Sequence, residues 1–170
     1  MCARQEIRLR DATQADVPSI CAIHNQGIED RVATLDVDPH TLDEQRAWFI
    51  RHGPSHPVIV ADAVGEPIGR ASLNQFSGRM AYRFVADLSV YVERGWRGRG
   101  IGTLLLRAID ARARTLGYHK IVLSAFPSNQ AGLRLYEKFG FRTVGIYHEQ
   151  GLVDGRWVDT IIMEKLLAER

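Results

Sequence analysis

A single mixed α/β domain, a central sheet flanked by helices, is the fold class predicted by this 170-residue sequence. Three observations point there. Stretches of period-2 alternation and stretches of helical period follow one another in the order β-α-α-β-β-β-α-β-α-β-β. Three of the four helical stretches stop at a glycine, and no linker, low-complexity tract or internal repeat divides the chain. Hydrophobic residues make up 45% and charged residues 25%, an ordinary globular balance with enough apolar material for one core.

Residues 6–10 alternate polar and apolar side chains, as a half-buried first strand does. Thr13 with Asp16, or Asp16 alone with Pro18 in the first turn, caps a helix carrying Val17, Ile20, Cys21, His24 and Ile28. Residues 29–40 show no clear period and read as a loop. Thr41 with Glu44 forms a capping box, Leu42, Trp48 and Phe49 give the second helix its apolar side, and Gly53-Pro54 ends it. A β-branched run over 57–63, a turn at Val64-Gly65-Glu66 and a run over 67–76 make a hairpin. After Ser77-Gly78, residues 81–92 alternate as one long strand. A helix over 100–116 stops at Gly117, 120–126 is a strand, 130–139 a helix ended at Gly140, and strands over 142–147 and 156–165 follow.

The net charge of +2 and the lack of a long basic block give no sign of a nucleic-acid binder. The first ten residues are charged throughout, and no stretch reaches the roughly 20 apolar residues that span a bilayer. Cys2 and Cys21 form no C-x-x-C pair, which reads as reduced thiols and a cytoplasmic protein. His52 and His56 have ligand-like spacing, but Gly53 and Pro54 break any helix that would align them, so no metal is expected.

The sharpest local feature is Arg97-Gly98-Arg99-Gly100-Ile101-Gly102-Thr103, lying between a strand and a helix. Alternating glycines allow close backbone approach to a ligand. The helix that follows offers unpaired N–H groups and the positive end of its dipole, a cradle for phosphate or diphosphate, with Arg97 and Arg99 adding charge. A P-loop would need Gly-Lys-Ser/Thr, which does not occur, and a dinucleotide fold would need its G-x-G-x-x-G after the first strand. A tight turn that uses glycine for packing alone is the remaining alternative.

With these residues the chain resembles the GNAT acetyltransferases, whose diphosphate loop reads Arg/Gln-x-x-Gly-x-Gly/Ala. Arg97, Gly100 and Gly102 match it. Asn129, Leu133, Tyr136-Glu137-Lys138 and Gly140-Phe141 resemble that family's second coenzyme A segment. The phosphinothricin and methionine sulfoximine branch is the most similar. Its Lys-x-Arg-x-x-Tyr, then Glu, then Val-Tyr-Val aligns without gaps to residues 77–92, and its Gly-x-Trp-x-Asp resembles residues 155–159. The resemblance implies a mostly antiparallel sheet, acetyl-CoA as cosubstrate, a small-molecule amine as acceptor and a possible homodimer. It also implies a splay or bulge near Val90-Tyr91-Val92, where the main chain pairs with the pantetheine arm and a free N–H, that of Val92, polarises the thioester carbonyl. Residues 97–103 and Asn129 complete the expected cofactor contacts.

Asp87 interrupts an otherwise apolar strand, where an unpaired carboxylate is costly. Arg83 lies about 13 Å away at ~3.3 Å per residue along that strand, so a direct pair is not expected, while a partner on a neighbouring strand stays open. The resemblance implies that Asp87 is the base that deprotonates the amine, standing where the branch has a longer glutamate, which favours a relay through one water. It likewise implies that Tyr136 protonates the departing thiolate, the alternative being a packing tyrosine beside Leu133 and Phe139. Arg79 and Tyr82 match the branch's substrate contacts, and Glu29, Thr34, Leu35 and Arg83 are further candidates. Ser77, Arg83 and Leu35 replace the branch's lysine, aspartate and aromatic residue, and Arg83 suggests an acidic amino acid or analogue. With no cysteine near the motif strand, direct transfer in a ternary complex is expected. A peptide acetyltransferase and a coenzyme A-binding module without turnover are the competing readings.

Overall fold

The computed structural model describes residues 6–167, so Cys2 lies outside the described residues. It contains strands β1 (Ile7–Asp11), β2 (Val58–Ala63), β3 (Glu66–Gln75), β4 (Val85–Val92), β5 (Lys120–Ala125), β6 (Arg142–Val153) and β7 (Arg156–Leu166). The helices are α1 (Val17–Glu29), α2 (Leu42–Arg51), α3 (Ile101–Thr115) and α4 (Gln130–Lys138). The strands form one sheet in the order β1-β2-β3-β4-β5-β7-β6. Every pairing is antiparallel except β4 with β5. No helix among the described residues is long and apolar enough to cross a membrane.

The helix starts follow from their caps. Thr41 N–H donates to the Glu44 carboxylate at 2.7 Å while Glu44 N–H donates to Thr41 Oγ1 at 3.2 Å, the reciprocal box that opens α2. Asp16 accepts from Thr13 N–H at 2.7 Å and is gripped by Arg10 at 2.7 and 2.8 Å, which ties the entry of α1 to β1.

Strand β2 is buried on both faces and divides two apolar layers. Ile59 and Ala61 face a large core with Leu105, Leu106 and Ile109 of α3, whereas Val58 and Val60 pack with Ile20, Trp48 and Phe49 of α1 and α2. Each fully buried Val, Leu or Ile side chain among them contributes on the order of 1.5–3 kcal/mol. Gly69 lets α3 lie close on the sheet, since a Cβ there would stand 3.0 Å from Leu105 Cδ1 and 3.2 Å from Ile101 Cγ2.

Two strands differ from the sequence expectation. Residues 81–84 are not strand: Met80–Tyr82 form a 3-10 turn, and β4 begins only at Val85. The reason is hydrogen-bond supply. Strand β3 ends at Gln75, whose partner is Ala86, so residues 81–84 have no β3 backbone to pair with, and β5 reaches back only as far as the Phe84 carbonyl, which accepts from His119 and Lys120 N–H. Strand β6 runs on to Val153 past 147, because a register shift between Tyr147 and Gly151, with Glu149 at φ 50°, breaks the alternation without ending the pairing.

Candidate active site

The site lies where the sheet opens. Strand β4 pairs with β3 from Ala86 opposite Gln75 to Val92 opposite Gly69, with no register shift. Its parallel pairing with β5 ends at Asp87 opposite Val122. Beyond Asp87 the two strands diverge, a splay without a bulge. Glu93 N–H donates to Ile68 carbonyl at 2.8 Å. The alternation of an antiparallel ladder then turns the N–H groups of Val90 and Val92 away from β3, into the opening.

One arm of the opening is a groove lined by Val90, Tyr91, Val92, Arg97, Gly98, Gly100, Ile101, Gly102, Thr103, Asn129 and Tyr136, among others. Gly98 and Gly100 have φ of 72° and 83°, a left-handed backbone that glycine adopts without the strain of a Cβ. A Cβ at either position would have no atom within 4 Å, so the groove above them is open. Gly100 caps α3 without any side-chain hydrogen bond, and the first intrahelical bond runs from Leu104 N–H to Gly100 carbonyl at 3.1 Å. The N–H groups of Ile101, Gly102 and Thr103 are thus left as donors for an anion. Arginine supplies less of the charge than expected. Arg97 Nη1 is held by Asp30 at 2.5 Å and its Nε donates to Val92 carbonyl at 3.1 Å, while Arg99 lies over the Trp96 ring, 5.2 Å from its centroid, outside the groove lining.

The other arm is a cavity of about 280 Å³ reaching from Ala33, Thr34 and Leu35 of the α1–α2 loop to Asp87, Ser89, Ser124, Asn129, Tyr136 and Thr160. Asp87 has no ionic partner among the described residues. Asn74, opposite it on β3, donates Nδ2–H to Asp87 Oδ2 at 3.2 Å and to Ser89 Oγ at 3.0 Å. Burial pushes the Asp87 carboxyl above its usual range, and the Asn74 hydrogen bond opposes that shift. Tyr136 lines both arms, and its phenol is raised chiefly by burial and further by Tyr91 and Asp87. It therefore stays protonated at neutral pH.

The structure does not bring all the expected residues together. Thr34, Leu35 and Asp87 line the cavity, but Glu29, Arg79, Tyr82 and Arg83 do not. Glu29 accepts from Arg94 at 3.2 Å, Tyr82 packs against Phe76, and Arg83 donates to Met80 carbonyl at 3.1 Å and lies over Phe84. The turn that begins at Arg79 is exposed, and no Arg or Lys among the described residues lines the cavity, so the basic pocket expected from Arg83 is absent from this lining.

Sequence reasoning missed Arg70, Ser72 and Asn74. They alternate along β3 and share the face of Asp87, Ser89 and Tyr91, a period-2 polar pattern in an apolar strand that was there to be read. Arg70 is 2% exposed and has no carboxylate partner among the described residues; its guanidinium is sandwiched between Trp48 and Tyr91, 4.6 Å from each ring centroid. Burial lowers its pKa to about 10, which leaves it cationic.

His52 and His56 do not face a common ion, since both ring nitrogens of His52 are bonded within the chain. A cluster not singled out in the sequence, His24, Asp36 and His40, brings its ligand atoms within 4.8 Å of one another. Hydrogen direction argues against an ion there. Arg70 Nη2 donates to His24 Nδ1 at 3.2 Å, so the single hydrogen of neutral His24 sits on Nε2 and points to Asp36 at 3.1 Å. His24 stays neutral because burial, with Arg70 nearby, lowers its pKa to about 4.

Residues 24–141 match the Acetyltransferase (GNAT) family. The L-methionine sulfoximine/L-methionine sulfone acetyltransferase of Pseudomonas aeruginosa is 36% identical over 158 residues, 92% of each chain. The phosphinothricin N-acetyltransferase of Streptomyces coelicolor is 31% identical over 95% of this chain and 97% of its own. A phosphinothricin acetyltransferase from Sinorhizobium meliloti, solved in complex with acetyl-CoA, superposes with a TM-score of 0.90 at 33% identity, covering 96% of this chain and 89% of its own. An open-edged strand beside a glycine-capped helix, in a fold shared with these relatives, identifies the chain as an N-acetyltransferase of the GNAT family.

Proposed function

We propose that the protein acetylates the amino group of a small amino acid or amino-acid analogue, in a ternary complex with acetyl-CoA. The observation that carries this reading is the divergence of β4 and β5 after Asp87, which joins the glycine-turn groove and the Asp87 cavity into one opening. Relatives named for phosphinothricin and methionine sulfoximine, and the acetyl-CoA in the Sinorhizobium meliloti structure, support it.

Acetyl-CoA supplies the thioester acyl group. The N–H groups of Ile101, Gly102 and Thr103 hold its diphosphate, and the main chain of Val90–Val92 aligns its arm as an added strand. Val92 N–H polarises the thioester carbonyl; one such preorganised donor contributes on the order of 3 kcal/mol to the barrier reduction. Asp87 accepts the proton of the bound ammonium, directly or through one water. Its raised pKa brings it nearer to the operating pH, where a carboxylate is a better base. Tyr136 holds a hydrogen for the departing sulfur. The acceptor side chain meets Thr34, Leu35, Ser124 and Thr160, neutral groups that suit a compact polar tail.

Thiol release measured on a panel of amino acids, their sulfoximine, sulfone and phosphinate analogues, and short peptides tests the proposal. Turnover confined to free amino acids is expected. Turnover on peptides would favour a peptide acetyltransferase, and coenzyme binding without turnover would favour a non-catalytic module. Val144, Ile146, Tyr147, Leu152 and Trp157 of the β6–β7 hairpin are exposed apolar residues that suit self-association, and the particle mass read from sedimentation equilibrium tests for the homodimer.

A further inference from the structure

Arg70 shares a sheet face with Asp87, yet it does not line the cavity that Asp87 lines. A buried cation that no carboxylate meets is costly to keep. The faces of Trp48 and Tyr91 offset part of that cost. The rest of its chemistry is donation, because a guanidinium carries N–H groups in a rigid fork and nothing that accepts.

One prong of the fork starts a relay towards Asp87. Arg70 Nη1 donates to Ser72 Oγ at 3.0 Å, and the single hydrogen of Ser72 goes to Asn74 Oδ1 at 3.1 Å. With its oxygen engaged there, Asn74 presents Nδ2 to Asp87 Oδ2 at 3.2 Å and to Ser89 Oγ at 3.0 Å. An amide direction is assigned from its network, and both ends agree here, since an ionised carboxylate only accepts. His52 Nε2 also stands 2.9 Å from Asn74 Oδ1, so Ser72 shares the task of holding the carboxamide.

The other prong starts a relay towards the α1–α2 loop. Arg70 Nη2 donates to His24 Nδ1 at 3.2 Å, which leaves the imidazole hydrogen on Nε2, facing Asp36 Oδ2 at 3.1 Å. The same carboxylate oxygen accepts from Thr34 Oγ1 at 3.0 Å, and Asp36 N–H donates back to that hydroxyl at 3.1 Å. Thr34 lines the cavity. Tyr91, stacked on the guanidinium, adds a third tie to the loop, its hydroxyl 3.5 Å from Ala33 carbonyl. Gly27 makes room for it, since a Cβ there would stand 3.0 Å from Tyr91 Cδ1 and Cε1.

We propose that Arg70 is a positioning residue for acetyl transfer: through Ser72 and Asn74, and through His24 and Asp36, one buried guanidinium sets the Asp87 carboxylate and the loop wall at Thr34 relative to each other. The proposal rests on the reading of this cavity as the acceptor site and of Asp87 as its base. In both relays every hydrogen points away from Arg70. Its two Nη groups lie in one plane at a fixed separation, so the two walls share one reference, which a lysine ammonium on a flexible stem would not supply.

The test uses the full chain, with L-methionine sulfoximine as acceptor in steady-state kinetics. Ser72→Ala cuts the first relay and should lower kcat about 3- to 10-fold, with acceptor KM within twofold. Asp36→Ala cuts the second and should raise acceptor KM about 3- to 10-fold, with kcat within twofold. Arg70→Lys keeps a cation between the rings but not the fork. It should show both losses, with acetyl-CoA affinity within twofold, and adding Ser72→Ala or Asp36→Ala to it should change little. Full kcat and KM in Arg70→Lys overturns the proposal. So do effects that multiply in the double variants, for the relays then do not pass through Arg70. If circular dichroism shows that lysine is not accepted, Arg70→Met, which keeps apolar packing between the rings, takes its place with the same expected values. Amide exchange followed by NMR needs no turnover. The Asp36 N–H should exchange several-fold faster in Arg70→Lys and at the unmodified rate in Ser72→Ala, and an unchanged rate in Arg70→Lys overturns the loop relay. If the sulfoximine is not acetylated, or Asp87→Asn keeps full kcat, the acceptor or base reading fails by itself, and the Asp36 exchange rate still decides the hold of Arg70 on the loop.

Discussion

The two arms of the opening are built from different materials. The proposed coenzyme groove is main chain: N–H groups of Val92 and residues 101–103, set by two left-handed glycines and a strand that has lost its neighbour. The proposed acceptor cavity is side chain, with Thr34 and Leu35 from a loop, Asp87 from β4, Ser124 from β5, Tyr136 from α4 and Thr160 from β7. A site made of backbone is tuned by glycine and breaks when a Cβ is added. One made of side chains is tuned by single substitutions that leave coenzyme affinity alone.

That contrast can be broken or sharpened by experiment. The largest effect is expected from Asp87→Asn, which should lower kcat by about 10²- to 10³-fold while acetyl-CoA affinity, measured by calorimetry, stays within twofold. Gly100→Trp should do the reverse. It fills the open groove and strains a residue at φ 83°, so affinity for acetyl-CoA should drop by about 100-fold, while circular dichroism reports an unchanged fold. Tyr136→Phe keeps the ring and removes the hydrogen, and about a tenfold loss of kcat is expected in steady-state kinetics. Leu35→Ala, at the loop edge of the cavity, should alter kcat/KM between competing amino acids by only a few-fold, since an apolar contact discriminates weakly.

The smallest effect is on stability. Burial raises the folded-state pKa of Asp87 above its unfolded value, so its contribution is fully present below about pH 3.9 and is lost as pH rises through the raised value. At neutral pH the ionised carboxylate is therefore a burden on the fold. Asp87→Asn should raise the melting temperature at pH 7.5, with the gain vanishing in acid, as followed by thermal denaturation across pH.

The same contrast explains what could be read from the sequence. Residues 97–103 announce themselves because a backbone cradle is contiguous: strand, glycines and helix start are consecutive. The element order and the capping boxes at Thr13–Asp16 and Thr41–Glu44 were legible for the same reason. The acceptor cavity was not, because Ser124 and Thr160 meet Asp87 only through the parallel β4–β5 pairing and the β5–β7 pairing, which no local pattern encodes. The long strand over 81–92 was overread, since alternation in Ala81–Phe84 does not reveal that β3 has already ended. Arg70, Ser72 and Asn74 show a visible period, but its meaning needs the register that sets Asn74 opposite Asp87.

A crystal structure of the protein with acetyl-CoA bears most directly on the central claim. The diphosphate oxygens should accept from the N–H groups of Ile101, Gly102 and Thr103, and the thioester oxygen from Val92 N–H, on the edge that β5 leaves free. A diphosphate bound elsewhere, or those N–H groups engaged within the protein while coenzyme is present, would contradict it.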